Sequence, residues 1–268
     1  MLLRVILLAA ALVGFLYWQN NGLTVSRYEY ASAEVAESFD GYRIVQLSDL
    51  QDKCFGKDQA PLLERVAALE PDIILLTGDM VDYNRFHMEP TLALLRGAVQ
   101  LAPCYFITGN HEAAFKQPQK REIINAIADC GVTVLDDEYV RIERGEDGFF
   151  LFGLSEYEDL PAAWYYGMPK EEGLCVMMAH RPERFDSYLK GNEDLIFSGH
   201  AHGGQIRLPF VGGLYSTGQG WFPRLTSGVH ERDGVTMVIN RGLGNSTFPQ
   251  RIFNRPEIVL LTLRSGEK

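Results

Sequence analysis

The chain has 268 residues, 46% of them hydrophobic and 22% charged, with a formal net charge of −10. The length allows one large domain or two small ones around a sizeable core, and the composition excludes a disordered, collagenous or multi-span membrane chain. The excess of Asp and Glu over Lys and Arg argues against a nucleic-acid partner, whose phosphates need clustered basic side chains.

Residues 1–20 differ from the rest. Arg4 is the one charged side chain before Gln19, and Val5 to Trp18 is an unbroken apolar run closed by Tyr17 and Trp18. Spanning a bilayer takes roughly 17–25 helical residues, so the run is short but sufficient. Tyr and Trp suit the membrane–water interface. Arg4 and the amino terminus favour the amino end inside, which predicts a single-pass protein of the cell membrane with its catalytic domain on the extracytoplasmic side. A cleaved signal peptide is the rival reading; the lack of an A-x-A pattern after the run favours an uncleaved anchor. Residues 21–40 then read as a polar tether or an edge strand leading into one domain over 41–268.

From Arg43 onward short apolar runs alternate with helical patterns. Residues 43–48, 72–77 and 104–108 read as strands, separated by helical spacings at Leu62, Leu63, Val66 and Leu69 and at Leu92, Leu95, Ala98 and Val99. Ile123, Ile124 and Ile127 mark a third helix, ended by Cys130-Gly131. Further strands are expected at 139–143, 149–154, 174–179, 195–198, 235–240 and 258–263. Strand and helix at this rhythm indicate an α/β domain. The four cysteines are far apart, with no C-x-x-C; Cys104 and Cys175 lie in apolar runs where a buried free thiol is the usual state.

The chemistry is concentrated where strands end. RIVQLS runs into Asp49, DIILLT into Gly78-Asp79, and CYFIT into Gly109-Asn110-His111-Glu112. LCVMMA runs into His180, and DLIFS into Gly199-His200-Ala201-His202. In open α/β sheets the carboxyl edge of the strands is where ligands bind. Any one of these residues has an ordinary reading as a loop or cap residue. Five together, each on a strand end, supply the carboxylate, imidazole and amide-oxygen donors of a transition-metal site. More than four donors suggest two metals sharing a carboxylate.

The order Asp49-x-Gln51, Gly78-Asp79-x-x-Asp82, Gly109-Asn110-His111-Glu112, His180 and Gly199-His200-x-His202 resembles the calcineurin-like metallophosphoesterase superfamily. The resemblance runs from Tyr42 to the carboxyl terminus. SDLQDKCFG, GDMVD, GNHE, MAHRP and SGHAHGGQIRLPF look like its bacterial branch, which carries an amino-terminal transmembrane or export segment. It implies a four-layer αββα sandwich with a dinuclear site. Asp49, Asp79 and His202 would hold one metal; Asp79, Asn110, His180 and His200 would hold the other. His111 would contact the phosphate and assist the leaving group, and Asp82 would orient a ligand. Two divalent ions, Mn first with Fe or Zn as alternatives, would lower the pKa of a shared water for attack on a phosphate mono- or diester. Some members cleave the pyrophosphate of UDP-diacylglucosamine, so the substrate expected is a small phosphate ester or a lipid head group.

Gln51 departs from the pattern, which has histidine in that place. Its amide oxygen is a weaker donor to a transition metal than imidazole. Either the metal there is held more loosely with activity retained, or the domain is a degenerate module that binds a phosphorylated ligand without turnover. Arg181 is a candidate phosphate clamp or a surface arginine. His87 and His230 belong to no motif. Trp221 and Phe222 are expected as a buried core pair, with the mouth of the site as the alternative.

Overall fold

The computed structural model describes residues 1–156, 173–246 and 248–266. It opens with α1 (Leu2–Asn21), a helix long and apolar enough to cross a membrane. The first strand, β1 (Thr24–Ser32), follows directly. Strands β2 (Arg43–Leu47), β3 (Ile73–Leu76), β4 (Cys104–Phe106) and β5 (Thr133–Val134) then alternate with helices α2 (Ala60–Ala67), α3 (Glu89–Ala98), α4 (Asn110–Ala114) and α5 (Gln119–Ala128). A second series comprises β6 (Glu138–Arg144), β7 (Asp147–Gly153), β8 (Cys175–Met178) and β9 (Leu195–Ser198). Two small ladders come next, β10 (Arg207–Leu208) with β11 (Gly212–Gly213) and β12 (Tyr215–Ser216) with β13 (Gly220–Trp221). Strands β14 (Gly228–Arg232), β15 (Val235–Ile239) and β16 (Glu257–Ser265) finish the chain.

These strands form two six-stranded mixed sheets, in the orders β1-β16-β2-β3-β4-β5 and β14-β15-β9-β8-β7-β6. Alternation along each strand explains how the sheets stack, because successive side chains point to opposite faces. Ile44, Ile73 and Leu75 of the first sheet meet Val176, Met178 and Phe197 of the second in one buried cluster. Val45, Leu47, Ile74 and Leu76 face the other way, onto α2, α3 and α5. The outer face of the second sheet, with Met177, Ile196 and Ile239, is covered by the short helix Phe185–Tyr188 among the described residues. Each such side chain withdrawn from water contributes about 1.5–3 kcal/mol, so both faces of both sheets require cover. The layers are therefore helix, sheet, sheet, helix.

Of the two readings of residues 21–40, the chain takes the edge strand: β1 pairs in parallel with β16 over its nine residues. All four cysteines are free, and Cys104 and Cys175 are buried. Trp221 and Phe222 do not form a buried pair; they are 68% and 60% exposed. The two-residue ladders in this segment are too short to gain a covering layer.

One polar bridge ties the sheets beneath the site. Gln46 stands on the inter-sheet face of β2, and its amide donates to Thr77 Oγ1 and to the Ser198 carbonyl of the facing sheet, both at 2.9 Å. Asn240 Nδ2 donates back to the Gln46 carbonyl at 3.0 Å. A buried polar group between sheets is tolerated when paired; the Gln46 side-chain nitrogen and backbone carbonyl are, while its Oε1 has no partner among the described residues.

Candidate metal centre

Strands β2, β3 and β4 run parallel in the first sheet, and β7, β8, β9 and β15 run parallel in the second. Their carboxyl ends converge at one edge of the sandwich. Asp49 follows β2, Asp79 follows β3, Asn110 and His111 follow β4, His180 follows β8, and His200 and His202 follow β9. Two triads result, Asp79–His180–His200 and Asp49–Asp79–His202, each with ligand atoms within 4.8 Å of one another and all buried. Asp79 belongs to both.

The loops reach this geometry through strained backbone. Asp49, Gln51, Asp79, His200 and His202 have φ between 46° and 64°, the left-handed region that ordinary residues rarely occupy and that clusters at functional sites. Close approach is secured by glycine. A Cβ on Gly109 would stand 2.2 Å from Asp79 Oδ1, so only glycine lets the start of α4 close on that carboxylate. The His111 N–H then donates to Asp79 Oδ1 at 2.8 Å.

Hydrogen bonds fix which atoms face the centre. His180 Nδ1–H donates to the Thr77 carbonyl at 2.8 Å, which leaves Nε2 towards Asp79 Oδ2 and Asn110 Oδ1, both at 3.2 Å. His111 Nδ1 accepts the Tyr83 N–H at 3.0 Å, so the neutral ring carries its proton on Nε2. Asp82 lies beside the same Nδ1 at 3.4 Å and is itself held by Arg85 Nε at 2.6 Å and the Asn84 N–H at 2.8 Å. Asp49 receives the His200 N–H and lies 3.3 Å from His202 Nε2. Gln51 turns its amide nitrogen to His202 Nε2 at 3.2 Å and to His111 Nε2 at 3.4 Å. Arg181 is engaged by two carboxylates, Glu156 through Nε and Glu183 at 3.5 Å.

Burial pushes the Asp49 carboxyl up to about 6, against the pull of His180. Burial acts upward on Asp79 as well, but His180, His111 and His200 outweigh it and hold Asp79 well below the usual carboxylate range. Burial would lower His180, yet Asp79 beside it raises the ring to about 10. Burial and then Arg251 depress His202 to about 3, and burial and then His180 lower His200. Asp79 is thus ionised and His200 and His202 are neutral, the states a metal requires. A cation at Asp79 would displace the proton that Asp79 favours on His180.

The residues fit divalent cations by a further criterion. Gln51 Oε1 and His200 Nε2 are buried potential ligand atoms with no hydrogen-bond partner among the described residues, and buried polar atoms normally have one. Both belong to the constellation.

Two contributors carry no signal as ligands in the sequence. Glu112, inside GNHE, is fully buried and accepts the Asp79, Val81 and Gly109 N–H groups at 2.9, 3.0 and 2.8 Å, joining the loops after β3 and β4. Burial and then Asp79 push its carboxyl up to about 7. Arg251, also fully buried, donates to the Gly244, Arg241 and Asn254 carbonyls, and its Nη2 lies 3.4 Å from His202 Nδ1. A three-residue capping pattern hints at Glu112; nothing local hints at Arg251. A cavity of about 360 Å³ reaches Gln51 and is lined by Lys53, Arg85 and Asn245 together with Asn20 and Asn21 of α1.

The model of the calcineurin-like phosphoesterase family matches residues 42–204, more than half of the chain. The chain belongs to that family. It is similar to the uncharacterised metallophosphoesterase YkuE of Bacillus subtilis, with 27% identity over 93% of this chain and 88% of that one. Phosphodiesterase YaeI of Escherichia coli is 28% identical over 72% of this chain and 71% of its own length. A bovine transmembrane protein with a metallophosphoesterase domain is 26% identical over 90% of this chain, which spans 57% of that protein. As a family member the chain is a hydrolase of phosphoric esters, with grouped metal-ligand side chains at its strand ends.

Proposed function

We propose that this chain is a membrane-anchored phosphoesterase whose two triads, bridged by Asp79, hold two divalent cations, manganese first among them. The observation that carries the reading is the shared carboxylate: Asp79 belongs both to the group with Asp49 and His202 and to the group with His180 and His200. Asn110 would complete the second set and Gln51 the first. Bound there, the cations would neutralise phosphoryl oxygens and lower the pKa of a water. The chain's own part is positional. His111 presents Nε2–H towards the centre as a donor to the phosphate or leaving oxygen, and Asp82 with the Tyr83 N–H holds its ring. Arg181, held by Glu156 and Glu183, would need to leave one of them to clamp a phosphate.

The cavity at Gln51 supports a substrate class. It is bounded by Arg85 and Lys53, which suit an anionic ester although burial and then Arg251 push the Lys53 ammonium down to about 7, by Asp52, and by the last residues of α1, which would hold it close to the bilayer. A lipid head group carrying a phosphate or pyrophosphate fits that placement. The E. coli relative named a phosphodiesterase supports a diester. Gln51 supports the second reading, a module that binds phosphate ligands without turnover.

The test uses full-length protein in detergent micelles, loaded with manganese. Hydrolysis of bis-p-nitrophenyl phosphate is expected, with two metal ions per chain by elemental analysis. Asp79→Ala should lose about a thousandfold in kcat/KM together with bound metal. An unchanged rate in that variant overturns the metal reading, and one ion per chain reduces the centre to a single site.

A further inference from the structure

Outside α1, most of the large exposed apolar side chains among the described residues lie after His202. Phe210, Val211, Trp221, Phe222, Phe248 and Phe253 are all exposed, and contiguous exposure of this kind marks an interaction surface. These residues form one neighbourhood. Trp221 and Phe248 line a single apolar cavity of about 310 Å³ with Ile206, Leu214 and Tyr215. Ile206 bridges Ile252 in parallel, and the Arg207 N–H donates to the Ile252 carbonyl at 2.9 Å, so the β10–β11 hairpin that ends in Phe210 and Val211 starts beside Phe253.

The same segment is fastened to α1. Asn20 Nδ2 donates to the Pro249 carbonyl at 2.9 Å, the Arg251 N–H donates to Asn20 Oδ1 at 2.7 Å, and Gln250 Nε2 donates to the Leu16 carbonyl at 3.0 Å. Phe253 packs edge-on against Phe15, with ring centroids 5.8 Å apart. Depth follows from helix geometry. Trp18 closes the apolar run and carries the Arg255 guanidinium over its ring at 4.5 Å, an arrangement suited to the head-group level. Phe15 lies three residues back, about 4.5 Å further along the helix axis at 1.5 Å per residue. A helix that spans through Phe15 therefore carries Phe253 to the boundary of the acyl chains.

We infer that the aromatic surface around Trp221, Phe248 and Phe253 is a second membrane contact, seated in the lipid interface beside α1. The inference rests on the reading of α1 as an uncleaved anchor. It extends that reading from a tether to a fixed posture. The domain lies down on the bilayer, and the cavity mouth at Asn20 and Asn21 opens at head-group level instead of swinging free above it. Trp and Phe side chains on an apolar face bury at the boundary of head groups and acyl chains.

The chain has three tryptophans, at 18, 164 and 221, so single-tryptophan versions are made by Phe substitution of the other two. Full-length protein is reconstituted into phosphatidylcholine vesicles whose acyl chains are brominated near the carbonyl end. At least twofold quenching is expected for both Trp18 and Trp221, relative to unbrominated vesicles. The combination Phe210→Ser and Phe253→Ser should reduce the quenching of Trp221 and spare that of Trp18. Quenched Trp18 with unquenched Trp221 overturns the surface and leaves the anchor standing. Neither being quenched overturns the anchor and the surface together. If the tryptophan replacements misfold, a nitroxide at Phe210→Cys in a Cys54→Ser, Cys130→Ser background reads the same depth by oxygen accessibility, and water-like accessibility there overturns the inference. None of these readouts depends on hydrolysis.

Discussion

The two sides of the centre share Asp79 but differ in construction. On the side of His180 and His200, His180 is locked by Thr77, Asn110 adds an amide oxygen, and the nearest guanidinium, Arg181, is balanced by Glu156 and Glu183. On the side of Asp49 and His202, Gln51 stands two residues after Asp49, and the buried Arg251 stands against His202, its donors taken by carbonyl and amide oxygens among the described residues. Arg251 hydrogen-bonds neutral acceptors, and the carboxylates that act on it are Asp49, itself a candidate ligand, and Glu257; it opposes a cation that binds nearby, because both are positive in a poorly screened interior. A shared ligand therefore does not make two equal sites. On the proposed two-cation reading, the first side would keep its ion, and the second would bind one against a resident charge with a weaker donor.

The largest effect that would break this comparison is the loss of one histidine from each side. His180→Ala should lower kcat/KM for bis-p-nitrophenyl phosphate about a thousandfold, and His202→Ala about a hundredfold, since the latter removes a ligand from the looser site. Equal losses would make the two sides equivalent. Graded chelation follows next in size. With rising chelator, the wild-type protein should release one ion before the other. His202→Ala should lose the early phase, and His180→Ala should lose the late one, each read as metal per chain. A single phase in the wild type would end the distinction.

Much of this centre is legible in the sequence, and the reason is local. Each donor sits directly after a short apolar run, and such runs are strands whichever sheet they join; parallel strands then bring their carboxyl ends to one edge. Asp49, Asp79, Asn110, His111, His180, His200 and His202 meet for that reason. What stays hidden depends on distance along the chain. Arg251 reaches His202 across 49 residues from an irregular segment with no periodic pattern. The pairing of β1 with β16 joins strands from opposite ends of the chain, so a polar stretch compatible with tether or strand becomes a strand only through its partner. Trp221 and Phe222 depart from the expected buried pair because burial follows from a covering layer, and aromatic character alone does not supply one. Glu112 lies inside the GNHE motif, but its three backbone bonds depend on how closely Gly109 approaches Asp79.

The smallest effect expected is the most specific to this chain. Gln51 places its amide nitrogen against two imidazole nitrogens, while Oε1 is buried without a partner among the described residues. A half-turn of the amide exchanges those atoms and offers the oxygen to the Asp49–His202 side, where it would be the weaker donor. Gln51→His replaces it with an imidazole while leaving the opposite side untouched. The late-released ion should keep its affinity, and the early one should tighten by about ten- to a hundredfold. The rate at saturating manganese should change little, because the parent site is then already filled; the gain belongs at low metal, as a leftward shift of the activation curve. A large rise in rate at saturating metal would show that the parent centre is dormant and would favour the binding-module reading. No shift in either quantity would mean that Gln51 does not face the second ion, and the asymmetry would then rest on Arg251 alone.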